Sequence, residues 1–205
     1  AEPPSAPLPV VGIGGSAGSL ESLQAFFAHL PQASGIAFIV VTHQPSGHRS
    51  MLPGILGKHS AVPVVEATDG MRLEPDRVFV TQPNGEWVVE EGALRRRPHR
   101  APGDTDNGER DARRSPAYHP VDTLFRSLAE DRGGRAIGIV LSGTGSDGTV
   151  GVRAIHAQGG MSMAEEPATA QFDGMPASAV ATGMVDYVLA AADMPATLTD
   201  YIQDR

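Results

Sequence analysis

Three side chains that could share one reaction stand just beyond three apolar runs. Ser16 follows residues 10–13 and the pair Gly14-Gly15, His43 follows residues 36–41, and Asp147 sits in the glycine-dense stretch 142–148 after the run 136–141. An alcohol, an imidazole and a carboxylate are the parts of a hydrolytic triad. The alcohol is inert at its own pKa and needs a base to take its proton and later return it to the leaving group. The carboxylate holds the imidazole tautomer and stabilises its cation. Backbone N–H groups in the glycine turns would bind the oxyanion, each worth ~2.7–4 kcal/mol. Gly15, Ala17, Thr144 and Gly145 are the residues expected to support that site and its pocket. The required geometry puts the serine oxygen within ~2.6–3.2 Å of one imidazole nitrogen, or somewhat farther without substrate, with Asp147 facing the other nitrogen.

Each residue also has a simpler role. Serine before a helix is commonly its N-cap, a loop histidine commonly bonds to backbone, and aspartate before glycine commonly makes a turn. Taken singly, each simple role is the commoner one; joint placement after three apolar runs is what favours the triad. The chain order Ser, His, Asp differs from that of the α/β-hydrolases, and Ser16 is not read as their nucleophile elbow; triads recur in unrelated orders. Gly12, Gly14 and Ala17 fit a loose dinucleotide fingerprint, but the acidic residue that should close the second strand is missing. His43 and His48 could pair on a metal, yet no third ligand accompanies them. His29, His59, His99 and His156 read as surface positions, and His119 as a helix-start residue before Pro120. No metal and no cofactor is expected.

The elements that must position these residues alternate in type. Apolar runs at 10–13, 35–41, 62–66, 136–141, 160–164 and 185–189 read as strands. Helical spacing predicts helices over about 19–30, 49–58, 120–131, 149–157, 176–181 and 193–202, the last capped by Asp193. Residues 77–82 and 86–90 flank Pro83-Asn84-Gly85 and read as a β-hairpin, with Gly92-Ala93-Leu94 adding a short third strand. Continuous rather than alternating apolar runs, interleaved with helices, predict an α/β fold: a doubly wound, mostly parallel sheet with helices on both faces and an antiparallel β-hairpin extension.

Composition bounds the rest. The 205 residues suit one domain over 10–205, preceded at 1–9 by a proline-rich lead-in or linker, the expected seam of a longer protein. There is no cysteine, and no apolar run long enough for a membrane span. Net charge is −8, but seven arginines fall within 95–114, leaving the remainder near −11. That acidic body argues against nucleic-acid binding. Residues 95–116, charged and without period, read as a mobile solvated loop.

These motifs resemble a known family. GIGGSAGSLESL, VVTHQPSGHRSML, GIVLSGTGSDGTVGVRAI and AEEPATAQFDGMPASAVATGMVDYVL are similar to blocks of the chemotaxis protein-glutamate methylesterase domain, the CheB type, over about residues 10–201. The wording is closest to the branch in which this domain is fused to a receptor methyltransferase. The resemblance implies a cytoplasmic enzyme that hydrolyses γ-glutamyl methyl esters, and deamidates glutamines, on the cytoplasmic helices of chemoreceptors. Its partners would be those methylated helices and neighbouring methyltransferase and sensory domains. The family's serine, histidine and aspartate fall on Ser16, His43 and Asp147. Ala17 stands where the stand-alone enzymes usually carry threonine, and Thr144 where they usually carry methionine. The alternative expectation is a weakly active or inactive docking domain of the same fold within a larger sensory protein.

Overall fold

In the computed structural model, which describes residues 7–43, 50–83, 85–98 and 118–205, seven strands form one sheet in the order β3-β4-β2-β1-β7-β8-β9. These are β1 (Val10–Gly15), β2 (Ala37–Thr42), β3 (Val64–Glu66), β4 (Arg77–Val80), β7 (Ala136–Val140), β8 (Met161–Glu165) and β9 (Tyr187–Leu189). Every pairing in this sheet is parallel. The reason is visible in burial: all of β1 and β7 is buried, as a strand covered on both faces must be.

The helices divide between the faces. Helices α1 (Ser19–Ala28), α2 (Leu52–Gly57) and α6 (Met194–Gln203) cover one side through Leu23, Phe26, Phe27, Leu56 and Leu198, against Val11, Ile13, Phe38 and Ile139. Helices α3 (Pro120–Arg132), α4 (Thr149–Ala157) and α5 (Gly174–Val180) cover the other through Leu124, Phe125, Leu128, Val152 and Ile155. The crossover from β1 through α1 reaches β2 on one side, whereas α3 delivers the chain to β7 on the other. The strand order therefore reverses at β1/β7, and the crevice beyond the carboxyl ends there is where open α/β sheets bind ligands.

A separate antiparallel pair, β5 (Glu86–Glu90) and β6 (Ala93–Arg97), turns at Glu91-Gly92, both at positive φ (51° and 74°). It packs Trp87, Val89 and Leu94 into the α3 side of the core, and the Ser127 hydroxyl of α3 accepts from the Val89 N–H at 3.0 Å.

This corrects two expectations. Residues 77–82 do not pair with 86–90: β4 enters the parallel sheet between β2 and β3, and the hairpin partner of β5 is β6. Val78, Phe79 and Val80 are all at most 1% exposed, as expected of a strand with neighbours on both sides in a sheet covered on both faces. The expected loop 95–116 also starts too early, because Arg95, Arg96 and Arg97 pair with Val88, Trp87 and Glu86 in β6. Residues 99–116 of that loop, His48 and residues 1–6 of the lead-in lie outside the described residues. Asp193 does occupy the N-cap position of α6, without a side-chain capping bond.

Candidate active site

The sheet register delivers Ser16 and His43 side by side. Gly15 of β1 lies opposite Thr42 of β2, so the next residue of each chain leaves the sheet at the same edge. The His43 N–H donates to the Gly15 carbonyl at 3.3 Å. Ser16 and His43 line one open cleft of about 300 Å³ with Gly18, Leu20, Met51, Leu52 and Ile55. The described lining holds no Lys, Arg, Asp or Glu, which suits a neutral ester or amide better than a charged group.

Ser16 is not an N-cap. Helix α1 begins three residues later, its N-cap is Gly18 at φ 73°, and no side chain caps it. The chain instead makes a sharp strand–turn–helix passage in which the Ser16 N–H donates to the Ser142 carbonyl at 2.9 Å and the Ser16 carbonyl accepts from Ser19 N–H at 3.1 Å. Residues 14–18, Gly-Gly-Ser-Ala-Gly, do carry the G-x-S-x-G spacing of a nucleophile elbow, which corrects the reading of Ser16 as outside that motif. The Ser16 hydroxyl has no hydrogen-bond partner among the described residues; the expected serine–imidazole bond is not formed in this structure.

The imidazole is held from behind. His43 Nε2 donates to Asp147 Oδ2 at 2.7 Å, with the histidine side chain 29% exposed and the aspartate 2%. Asp147 Oδ2 also accepts from Val121 N–H at 3.0 Å, and Oδ1 accepts from the Asp122 and Gly148 N–H groups at 2.9 Å each. Two of those donors are free N–H groups in the first turn of α3, where the helix dipole also favours an anion. The carboxylate is thus the acceptor for four hydrogen bonds. With Nε2 committed to it, Nδ1 is the nitrogen that carries the lone pair.

Around this pair lie groups that sequence reasoning missed. Tyr118 stands beside His43, ring centroids 6.2 Å apart, and its hydroxyl donates to the Gly85 carbonyl at 2.9 Å. Burial, aided by the negative Glu86 and Asp147, raises the Tyr118 phenol above its ordinary pKa. Asp122 is buried, accepts the Gly151 N–H at 2.8 Å, and has its carboxyl pKa raised by that burial and by the negative Asp147. His119 Nδ1 lies 3.7 Å from Asp147 Oδ1. His119, Asp122 and Asp147 bring ligand atoms within 4.8 Å of one another, but the Asp147 oxygens are already engaged by the four bonds above. No sequence pattern announced Asp122 or His119, because their meeting with Asp147 is made by the docking of α3.

The expected oxyanion residues surround the serine. Gly15 is buried in β1; a Cβ there would meet Ser19 Cβ at 2.5 Å. Ala17, Thr144 and Gly145 are exposed on the two glycine turns, and none of their N–H groups donates to a described residue. Gly143 closes the gap between the turns: a Cβ there would lie 2.3 Å from Met175 Sδ and 2.9 Å from Ser16 Cβ.

The CheB methylesterase family model matches residues 11–198. The chain belongs to the CheB methylesterase family. It is 36% identical over 188 residues to a protein-glutamate methylesterase/protein-glutamine glutaminase of Geobacter sulfurreducens, covering 91% of this chain and 48% of that one. It is 40% identical over 154 residues to an uncharacterised 104.1 kDa protein of Rhodobacter capsulatus, covering 75% of this chain and 15% of that one. The crystal structure of the Thermotoga maritima CheB methylesterase catalytic domain superposes with a TM-score of 0.79 at 29% identity, covering 94% of this chain and 97% of that one. This CheB-family chain therefore spans about half the length of the methylesterases it matches, and nearly all of a catalytic domain.

Proposed function

We propose that this domain is a protein-glutamate methylesterase that hydrolyses γ-glutamyl methyl esters, and deamidates glutamines, on the methylated cytoplasmic helices of chemoreceptors. The observation that carries it is the His43 Nε2–Asp147 Oδ2 bond, made beside an uncapped serine at the carboxyl edge of β1. In this reading Ser16 Oγ attacks the ester carbonyl while His43 Nδ1 takes its proton. Rotation of the serine hydroxyl toward Nδ1 accompanies substrate binding, since such bonds tighten in the Michaelis complex. The tetrahedral oxyanion is bound by the N–H groups of Ala17 and of the Thr144–Gly145 turn. His43 then protonates the departing methoxide, methanol leaves, and water attacks the acyl-serine with His43 again as base. Asp147, anchored on α3, stabilises the imidazolium throughout.

Family membership and the relatives' names support the reaction; the open cleft, with no Lys, Arg, Asp or Glu in its described lining, supports a side chain presented by another protein. A methyltransferase neighbour and a cytoplasmic setting belong to the same proposal. A second reading, a docking domain with little activity, draws on the unformed Ser16–His43 bond and on Ala17 and Thr144. Methanol release from methylated receptor fragments separates the two. The esterase reading expects turnover that Ser16→Ala and His43→Ala each reduce by several orders of magnitude. The double variant should be hardly slower than either single one, because the residues act as a unit. Turnover unaffected by Ser16→Ala would overturn it.

A further inference from the structure

Glu165 closes β8 at 3% exposure, and no step above uses it. Burying a carboxylate is costly unless its charge is compensated, and among the described residues no Lys, Arg or His pairs with it. Both oxygens are nevertheless engaged. Oε1 accepts from the Ser22 hydroxyl of α1 at 2.9 Å, and Oε2 accepts from the Ser142 N–H at 2.8 Å. Ser142, fully buried, is what touches the serine turn. Its carbonyl accepts the Ser16 N–H at 2.9 Å, and its hydroxyl donates to the Ala17 carbonyl at 3.0 Å. That hydroxyl also accepts from Phe172 N–H at 3.0 Å. The contact needs Gly18, where a Cβ would lie 2.9 Å from Ser142 Oγ.

From this chain of bonds we infer that Glu165 and Ser142 are positioning residues that hold the Ser16 turn in its attacking geometry, a role that rests on the esterase reading. Ser142 grips the peptide groups before and after the Ser16–Ala17 unit. Among the described residues Ser16 Oγ and the Ala17 N–H have no hydrogen-bond partner of their own. Glu165 fixes Ser142 in turn and ties it to α1, so the turn is held from β7, β8 and α1 at once. Its value is in two directed hydrogen bonds, one to Ser142 and one to Ser22, rather than in its charge.

The test compares Glu165→Ala, Glu165→Gln and Ser142→Ala by kcat and KM for methanol release, and by hydrogen exchange at the Ser16 amide. Glutamine keeps an oxygen for the Ser142 N–H and can donate to Ser22, whereas alanine keeps neither. Glu165→Ala is expected to lower kcat about 10–100-fold with KM within about twofold, the scale of a misplaced reacting group, and to speed Ser16 amide exchange. Glu165→Gln should retain wild-type protection and nearly wild-type kcat. If Glu165→Ala does not fold, Ser142→Ala, which removes only a hydroxyl, should show the same split more weakly. Unchanged Ser16 exchange in the foldable alanine variants overturns the inference, as does Glu165→Gln falling as far as Glu165→Ala. The exchange measurement needs no turnover, so a wild type without Ser16-dependent hydrolysis would sink the esterase reading while still reporting on the clamp.

Discussion

Four hydrogen bonds converge on the Asp147 carboxylate, and that number governs what its replacement does. Asparagine has one acceptor oxygen and one amide donor, so its NH2 must face either a backbone N–H of α3 or His43. A buried donor left facing a donor costs about 1–3 kcal/mol. Asp147→Asn should therefore lower both the melting temperature and the rate. The rate loss should be about 10⁴-fold, the scale reached when a triad histidine loses its tautomer, with methanol release as the measurement. Asp122 behaves in the opposite sense. Burial, and then the negative Asp147, raise its folded carboxyl pKa above the unfolded value. A raised acid binds its proton more tightly when folded, so its contribution to stability is full below the unfolded pKa. That contribution is lost as pH rises through the folded one. Asp122→Asn keeps an oxygen for the Gly151 N–H and never ionises. It should melt higher than wild type at about pH 7, with the difference shrinking as pH falls to about 4. A difference that grew toward acid would show the sign to be wrong.

At the scale of elements, α3 does two jobs through one contact. Phe125 is fully buried against three glycines. A Cβ on Gly12, Gly138 or Gly151 would approach its side chain to 3.0, 2.9 and 2.5 Å. Those missing side chains let α3 sit deep over β1, β7 and α4, and the same depth brings the Val121 and Asp122 N–H groups onto Asp147. A Cβ on Gly138 would also meet Ile155 Cδ1 at 2.5 Å. Gly138→Ala should thus destabilise by about 1–3 kcal/mol, the usual range for overpacking, measured by urea unfolding. It should also lower kcat more than a substitution of equal cost on the α1 side, because it lifts the helix that anchors the carboxylate.

At the scale of the molecule, the separate hairpin reaches the candidate site through Tyr118, which stands beside His43 and donates to the Gly85 carbonyl. The catalytic candidates lie at the carboxyl edge of the central strands, while the arginine-rich stretch starts on β6 of the separate hairpin. Among the described residues no helix is long and apolar enough to cross a membrane. Replacing residues 99–116 with a short Gly/Ser linker should leave β6 paired with β5, and β5 packed on α3, as they are. The melting temperature should stay within about 4 °C of wild type, the shift that roughly 1 kcal/mol produces at this size. A collapse of the melting transition would show that those residues belong to the core.

Residue types and apolar runs were enough to place most strands and helices and to nominate Ser16, His43 and Asp147. Strands of a covered parallel sheet are apolar throughout, so the first polar residue past each run marks the edge where function sits. Pairing was a different matter. Pro83-Asn84-Gly85 is a strong local turn signal, and nothing nearby says that β4 belongs between β2 and β3. That choice is made by the burial of Val78, Phe79 and Val80 under helices far away in the chain. The supporting shell was equally hidden. Glu165 reaches Ser22 across 143 residues and Ser142 across 23, and Asp122 meets Asp147 across 25. Each of these is an ordinary polar residue until the crossovers fold it inward. The candidate residues were legible because they follow the ends of strands; the framework that holds them exists only once the helices have packed.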